Sequence, residues 1–262
     1  AGVGMLIRDA VNFGAKRIIL GLGGSATNDC GAGMASELGF CFVNKNNNSF
    51  VPVGGTLIEV EHIIAPKKTF CVPVVAACDV TNPLFGVDGA AYVFAPQKGA
   101  DAEQVELLDR GLRHMAAVLK RDLNFDSENL PGAGAAGGLG AGASAFLNAE
   151  LRSGIDIVLD ESGFDKFAAN ADVVITGEGR FDSQSTNGKV MSGVCKRAAK
   201  AGAKVYAVCG CASNDADPAA LGIDKLFVSS DGTHSMDELQ LSCRRELFDA
   251  ANALAEEIIK FD

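Results

Sequence analysis

The stretch that decides the fold class runs from 172 to 230: DVVITGEG (172–179), a helical pattern, KVYAVCG (204–210), a second helical pattern, and KLFVSS (225–230) ahead of a terminal helix. Short apolar runs rich in Val and Ile, spaced by helices, are what parallel strands buried on both faces look like. Their regular alternation is that of half a doubly wound α/β sheet. Toward the N-terminus, RIILGLGG (17–24), FCVPVVAACDV (70–80), AAYVFAP (90–96) and IDIVLD (155–160) read as further strands. The sequence therefore predicts an α/β protein of two units, with the boundary near 161–171.

Two helices are marked by their ends. Over 101–121, Val105, Leu108, Leu112, Met115 and Leu119 step by three and four behind a candidate N-cap, Asp101. The terminal helix opens with Ser235 and Glu238 in capping-box spacing and is expected to bury Leu239, Cys243, Leu247, Leu254 and Ile258. The Asn run 46–48 reads as a turn.

Glycine accounts for 31 of the 262 residues, hydrophobic residues for 48% and charged ones for 21%, a composition that can build a substantial core. With 23 Lys and Arg against 33 Asp and Glu the formal charge is −10, which argues against a nucleic-acid or anionic-membrane surface. No apolar run approaches the ~20 residues that span a bilayer, and Arg8 and Asp9 break the N-terminal apolar stretch, so it reads as an amphipathic helix. The eight cysteines include no CxxC pair and no neighbouring His at metal-ligand spacing, and are expected to be reduced, mostly buried thiols of a cytoplasmic protein. His62, His114 and His234 are scattered and no GxSxG elbow exists, which disfavours a Ser-His-Asp hydrolase. His114 is expected at the surface.

Sixteen of the 31 glycines fall in the windows 21–39, 132–142 and 177–193, each of which holds a candidate loop. In GLGGSATND (21–29), Gly23 and Gly24 let the backbone approach an anion, with Ser25 and Thr27 as hydroxyl donors at a following helix N-terminus. The same residues also make a tight strand-to-helix turn capped by Asn28 or Asp29. In PGAGAAGGLG (131–140), Gly132, Gly134 and Gly137 form GxGxxG without a preceding strand. That leaves a backbone-donor loop or close packing of a glycine-rich helix. The third, TGEGRFD (176–182), continuing to Lys189, follows the strand DVVI. There Arg180 and Lys189 are the cations a phosphate needs, and Glu178 and Asp182 could hold Mg²⁺ or accept a proton; a solvated charged loop is the alternative reading. Asp79, at the end of the apolar run 70–80, suits a general base or metal ligand, or caps the turn before Asn82-Pro83.

In order along the chain, IILGLGGSATNDCGAGMASELGF, VAACDVTNPLFG, FAPQKGA, PGAGAAGGLGAG and VITGEGRFDSQSTNGKV closely resemble the bacterial glycerate kinases of the class that includes the glucarate and glyoxylate pathway enzymes. The resemblance runs from about residue 3 to the C-terminus. It implies ATP-dependent, Mg²⁺-requiring phosphorylation of D-glycerate, usually at the 2-hydroxyl. It also implies a flavodoxin-like domain, here 166–262 as its C-terminal half, into which a restriction-endonuclease-like α/β domain, here 1–165, is inserted. Members of the family begin with a further segment carrying Asp-Ser-Phe-Lys-Gly; nothing here matches it, so the chain is expected to lack that segment. The expected site lies in a cleft between the domains. Asp79 and Asp182 are the candidates for base or metal ligand, and Arg180 and Lys189 for anion contacts. Gly23, Gly24, Ser25, Thr27, Asn28, Gly132, Gly134, Gly137, Gly138, Gly177, Glu178 and Gly179 are the candidates for ATP. A non-catalytic anion- or nucleotide-binding module and a kinase for a related hydroxy acid share these loops. Terminal-helix and edge-strand surfaces leave a homodimer open.

Overall fold

A computed structural model describes residues 1–68, 70–182 and 190–260. It divides into two compact units, Ala1–Gly154 and Ile155–Asp262, a division ahead of the 161–171 window.

The first unit runs α1 (Gly2–Asn12), β1 (Ile18–Gly21), α2 (Ala32–Glu37), β2 (Cys41–Val43), β3 (Ser49–Phe50), β4 (His62–Ile64), β5 (Val74–Ala77), α3 (Ala90–Phe94), α4 (Ala102–Leu123), α5 (Ala135–Leu147) and β6 (Glu150–Arg152). Strands β1, β5 and β6 form a parallel sheet with β5 in the middle, Ile18 opposite Val74 and Gly21 opposite Ala77. A small antiparallel sheet, β3-β2-β4, was not legible in the sequence, because strands of two or three residues carry no period. Its hairpin turns at the Asn run, where Asn44 Oδ1 accepts the N–H groups of Asn46 and Asn48 and Asn47 takes a left-handed φ of 61°. Helix α4 begins as expected, Asp101 accepting Gln104 N–H at 2.9 Å and Gln104 Oε1 accepting Asp101 N–H at 3.0 Å. It buries Val105, Leu112, Met115 and Leu119 in one core with Phe42, Leu57 and Phe146.

Two runs read as strands are helices. Of the run 90–96, residues 90–94 form α3, whose Ala90 and Ala91 are fully buried, and Pro96 opens the turn after it; 155–160 belong to α6 (Gly154–Glu161). A short apolar run fits a buried helix as well as a strand. In α6, Asp156 and Asp160 are one turn apart, which puts both on the face that pairs with Arg197, at 3.2 and 2.6 Å.

The second unit continues with α7 (Phe164–Ala168), β7 (Val173–Phe181), α8 (Val190–Ala201), β8 (Lys204–Ala212), β9 (Lys225–Val228) and α9 (Met236–Ile259). The three strands are parallel, in the order β7-β8-β9. Alternate residues of β8 serve opposite faces: Val205, Ala207 and Cys209 meet Met191, Cys195 and Ala198 of α8, while Tyr206 meets Ala250 and Leu254 of α9. Two expectations for α9 fail, since Cys243 and Leu247 are exposed, and Leu239 lies outside the described side chains. The helix instead seats on the sheet through its C-terminal half. The capping box at its start is present, with Ser235 Oγ accepting Glu238 N–H.

Among the cysteines, Cys30, Cys195 and Cys209 are buried, Cys41, Cys78 and Cys211 partly so, and Cys71 and Cys243 are exposed, fewer buried thiols than the composition suggested. His114 is not a free surface residue: half-buried, its Nε2 lies 2.7 Å from the Val60 carbonyl oxygen. No helix among the described residues is long and apolar enough to cross a membrane.

Candidate anion-binding site

Parallel strands end in a row, and the loops leaving their C-terminal ends converge, which is where open α/β sheets take ligands. Gly21 and Ala77 are paired at the ends of β1 and β5, and Leu22 N–H still donates to the Ala77 carbonyl. The chain beyond β1 therefore runs beside the chain beyond β5. This brings Gly23, Gly24 and Ser25 to the same cavity as Asp79, a pocket of about 290 Å³ also lined by Gln97 and Lys98.

The loop presents bare backbone. A methyl group placed on Gly23 or Gly24 would meet none of the described residues within 4 Å, and both residues are exposed. Gly24 has a φ of 67°, the left-handed region that disfavours any side chain. The expected helix start is further off, at Ala32, so Ser25 and Thr27 do not sit at its N-terminus. They hold a lysine instead: Lys98 Nζ donates to Ser25 Oγ at 2.9 Å and to the Thr27 carbonyl at 2.7 Å. Burial pulls the Lys98 ammonium below its usual value, opposed by the charge of Asp29. Asp29 makes the turn into α2, accepting the N–H groups of Gly31 and Gly33 at 3.1 and 3.2 Å.

Lys98 was not picked out from the sequence. It ends a tight turn, Pro96–Lys98, that follows α3 and closes on Gly99 at a φ of 96°. Pro at the turn's first position and Gly just beyond Lys98 were the available signal within FAPQKGA.

Asp79 is exposed at the pocket, and its Oδ1 accepts the Gly154 N–H at 2.8 Å. That bond fixes the carboxylate's position. No group of three or more His, Cys, Asp or Glu side chains suited to a metal occurs among the described residues. Mg²⁺ bound with a nucleotide asks for only one or two carboxylates, the rest of its shell being phosphate and water. One carboxylate facing an open glycine loop fits that demand.

The second glycine loop is built differently. Gly132, Gly134, Gly137 and Gly138 are all buried, and methyl groups on them would collide with Cys78 Sγ, the Pro83 carbonyl, the Thr27 carbonyl and Leu84. Ala136, Gly137 and Gly138 take successive left-handed φ values of 54°, 69° and 90°, so α5 proper begins after them. Packing alone accounts for glycine at these four positions.

In the second unit the strand outruns the expected loop. Gly177, Glu178, Gly179 and Arg180 lie within β7, paired with β8 as far as Phe181 opposite Ala212. Gly177 and Gly210 let the strands continue, because a methyl on Gly177 would strike the Val208 carbonyl and one on Gly210 would lie 2.5 Å from the Gly179 carbonyl. Arg180 is exposed, with Nε 3.8 Å from Asp182 Oδ2. Glu178 is half-buried, and its Oε1 has no hydrogen-bond partner among the described residues. Lys189 lies outside the described residues. Asp79 thus belongs to the first unit, and Arg180 and Asp182 to the second.

A family model described as "Glycerate kinase family" matches residues 1–259. The chain is 46% identical over 241 residues to the glycerate kinase of Bacillus cereus (strain ATCC 10987 / NRS 248), covering 90% of this chain and 63% of the relative. It is 44% identical over 242 residues to the glycerate 2-kinase of Escherichia coli (strain K12), again covering 90% and 63%. The chain thus spans less than two thirds of the length of these relatives. A solved chain titled "Crystal structure of putative glycerate kinase 2 from Salmonella typhimurium LT2" matches with a TM-score of 0.82 at 39% identity, over 99% of this chain and 69% of that one.

Proposed function

Because this chain belongs to the glycerate kinase family, we propose that the protein transfers the γ-phosphoryl group of ATP to a hydroxyl of D-glycerate. The 2-hydroxyl is our choice of acceptor, giving 2-phosphoglycerate, as in the glycerate 2-kinase it is similar to. The observation that carries the proposal is the open Gly23-Gly24 loop facing Asp79 and Lys98 where β1 and β5 end. In the transfer the acceptor oxygen forms a bond to phosphorus, the bond from phosphorus to the leaving ADP oxygen breaks, and the hydroxyl proton passes to a base. Such chemistry is largely positioning and charge neutralisation. Backbone N–H groups at Gly23 and Gly24 and the Lys98 ammonium hold the phosphate, and Asp79 accepts the proton or holds Mg²⁺. When bound, that ion would neutralise charge on the phosphate oxygens. Asp182 is the corresponding candidate of the second unit, with Arg180 and Lys189 as anion contacts and Gly177, Glu178 and Gly179 beside them.

On the same reading, 1–165 is the inserted restriction-endonuclease-like domain and 166–262 half of a flavodoxin-like one, a view supported by helices on opposite faces of β8. The enzyme is of the glucarate and glyoxylate pathway class, and its thiols work reduced in the cytoplasm.

The test is ADP production by this chain with ATP, Mg²⁺ and D-glycerate. Turnover that falls at least 100-fold in Asp79→Ala supports the proposal; wild-type turnover in both Asp79→Ala and Asp182→Ala overturns these roles. Calorimetric binding of glycerate or ATP without product would make the chain a ligand-binding unit. Tartronate or lactate outcompeting D-glycerate as substrate would change the acceptor.

A further inference from the structure

Lys98 lines a second cavity besides the one that holds Asp79. This cavity has a volume of about 390 Å³ and is walled by Thr27, Asn28, Gly54, Gly55, Gln104 and Leu108. The two differ in chemistry. The first has a carboxylate and open glycine backbone, which suits phosphate with a cation. The second has no acidic side chain among the described residues of its wall: it offers the Lys98 ammonium, two carboxamides and a Thr, backed by alanine and leucine. A small anion that also carries hydroxyls matches that set, through charge on Lys98 and paired donor and acceptor groups on the amides.

Asn28 supplies an independent observation. It is 8% exposed, and neither Nδ2 nor Oδ1 has a hydrogen-bond partner among the described residues. Buried side-chain amides with both ends unpaired are rare in native proteins and call for an explanation. A carboxylate accepts from Nδ2 and a hydroxyl donates to Oδ1, so a hydroxycarboxylate satisfies both ends at once.

We propose that this second cavity receives the hydroxy-acid substrate, with Asn28 as the specificity-determining residue, and that Lys98 stands between acceptor and phosphate. The inference rests on the kinase reading above and adds to it the place of the acceptor. Discrimination follows from the amide: a site built to pair a hydroxyl penalises an acid without one, because the polar groups are then left unmet.

Gly55 provides a plug that leaves the fold alone. It is exposed, its φ is not in the left-handed region, and a methyl group there meets none of the described residues within 4 Å. Gly23 has the same properties beside the first cavity. Steady-state kinetics on the whole chain should show Gly55→Leu and Asn28→Asp each raising the KM for D-glycerate about 10-fold or more, with the KM for ATP within about twofold. Gly23→Val should do the reverse. Thermal unfolding of each variant checks that it folds. A D-glycerate KM unchanged within twofold in both Gly55→Leu and Asn28→Asp, or a rise in the ATP KM instead, overturns the inference while leaving the kinase reading standing. If the wild type turns nothing over, that reading fails separately. Calorimetry with D-glycerate alone then decides: binding weakened 10-fold by Gly55→Leu supports the cavity assignment, and no binding, or binding indifferent to Gly55→Leu, overturns it.

Discussion

The loop after β1 and the turn into α5 are both rich in glycine, yet they use it for opposite ends. Gly23 and Gly24 are both exposed, and no described residue occupies the space where a side chain would stand. At Gly134, Gly137, Gly140 and Gly142 that space is filled by the protein's own carbonyl groups, from Pro83, Thr27, Gly132 and Cys30. The second set draws β5's outgoing chain, the 22–30 segment and α5 into backbone contact. The first set leaves backbone uncovered. Composition cannot separate the two, because glycine reads the same whether the missing side chain makes room for a ligand or for a neighbouring strand. What separates them is whether the strand just before the loop ends at a sheet edge, as β1 does, or whether the loop feeds a helix packed in the core, as α5 is.

The comparison breaks if a methyl group is tolerated in the packed set. Gly137→Ala carries the largest expected effect, since its Cβ would overlap the Thr27 carbonyl and its φ of 69° is one that alanine disfavours. Overpacking and left-handed strain together should cost at least about 3 kcal/mol. In a chain of this size that lowers the melting temperature by roughly 6–12 °C, read by circular dichroism. Gly142→Ala comes next. It lies in regular helix, so only the clash with the Cys30 carbonyl counts, a cost of about 1–3 kcal/mol. Cys30 also reports on it: fully buried beside Asp29, its thiol is held protonated well above the usual range. Alkylation at neutral pH should therefore label the exposed Cys71 and Cys243 in the native chain and spare Cys30, whereas Gly142→Ala should admit label to Cys30.

Between the two sets sits Ala136, which carries a side chain at a φ of 54° and lines the Asp79 pocket. Here the sign reverses. Ala136→Gly removes left-handed strain of about 1–2 kcal/mol, less the added flexibility of the unfolded chain, and should stabilise by up to about 1 kcal/mol. A lower melting temperature would mean that the methyl packs against the pocket wall more favourably than its backbone is strained.

How far all this was readable follows the same physical line. Strands β7, β8 and β9 were legible because each is a Val- and Ile-rich run set off by helices, and so were the ends of α4 and α9, where capping residues stand at fixed offsets. Helices α3 and α6 were misread because five to eight apolar residues satisfy either period; the pairing of Asp156 and Asp160 with one Arg197 appears only once α8 is placed beside them. The end of β7 was misread because glycine usually breaks a strand, whereas Gly177 here removes a clash with β8. In the site, Gly23, Gly24 and Asp79 could be found because they follow strand ends. Lys98 could not, since its partners Ser25 and Thr27 are some seventy residues away and no local pattern encodes a contact of that span.

Gly23→Ala should produce the smallest change in stability and so tests the open half of the comparison most cleanly. The added methyl meets no atom of the described residues within 4 Å and the backbone there is not left-handed, so stability should move by no more than about 0.5 kcal/mol. A ligand anion lying against the loop would meet that methyl directly. Inorganic phosphate or ATP that raises the melting temperature of the wild type should then raise that of Gly23→Ala by a clearly smaller amount, because stabilisation by a ligand falls as its dissociation constant rises. Full ligand stabilisation in Gly23→Ala would mean that the anion sits elsewhere, and the bare backbone at the end of β1 would then be only a turn.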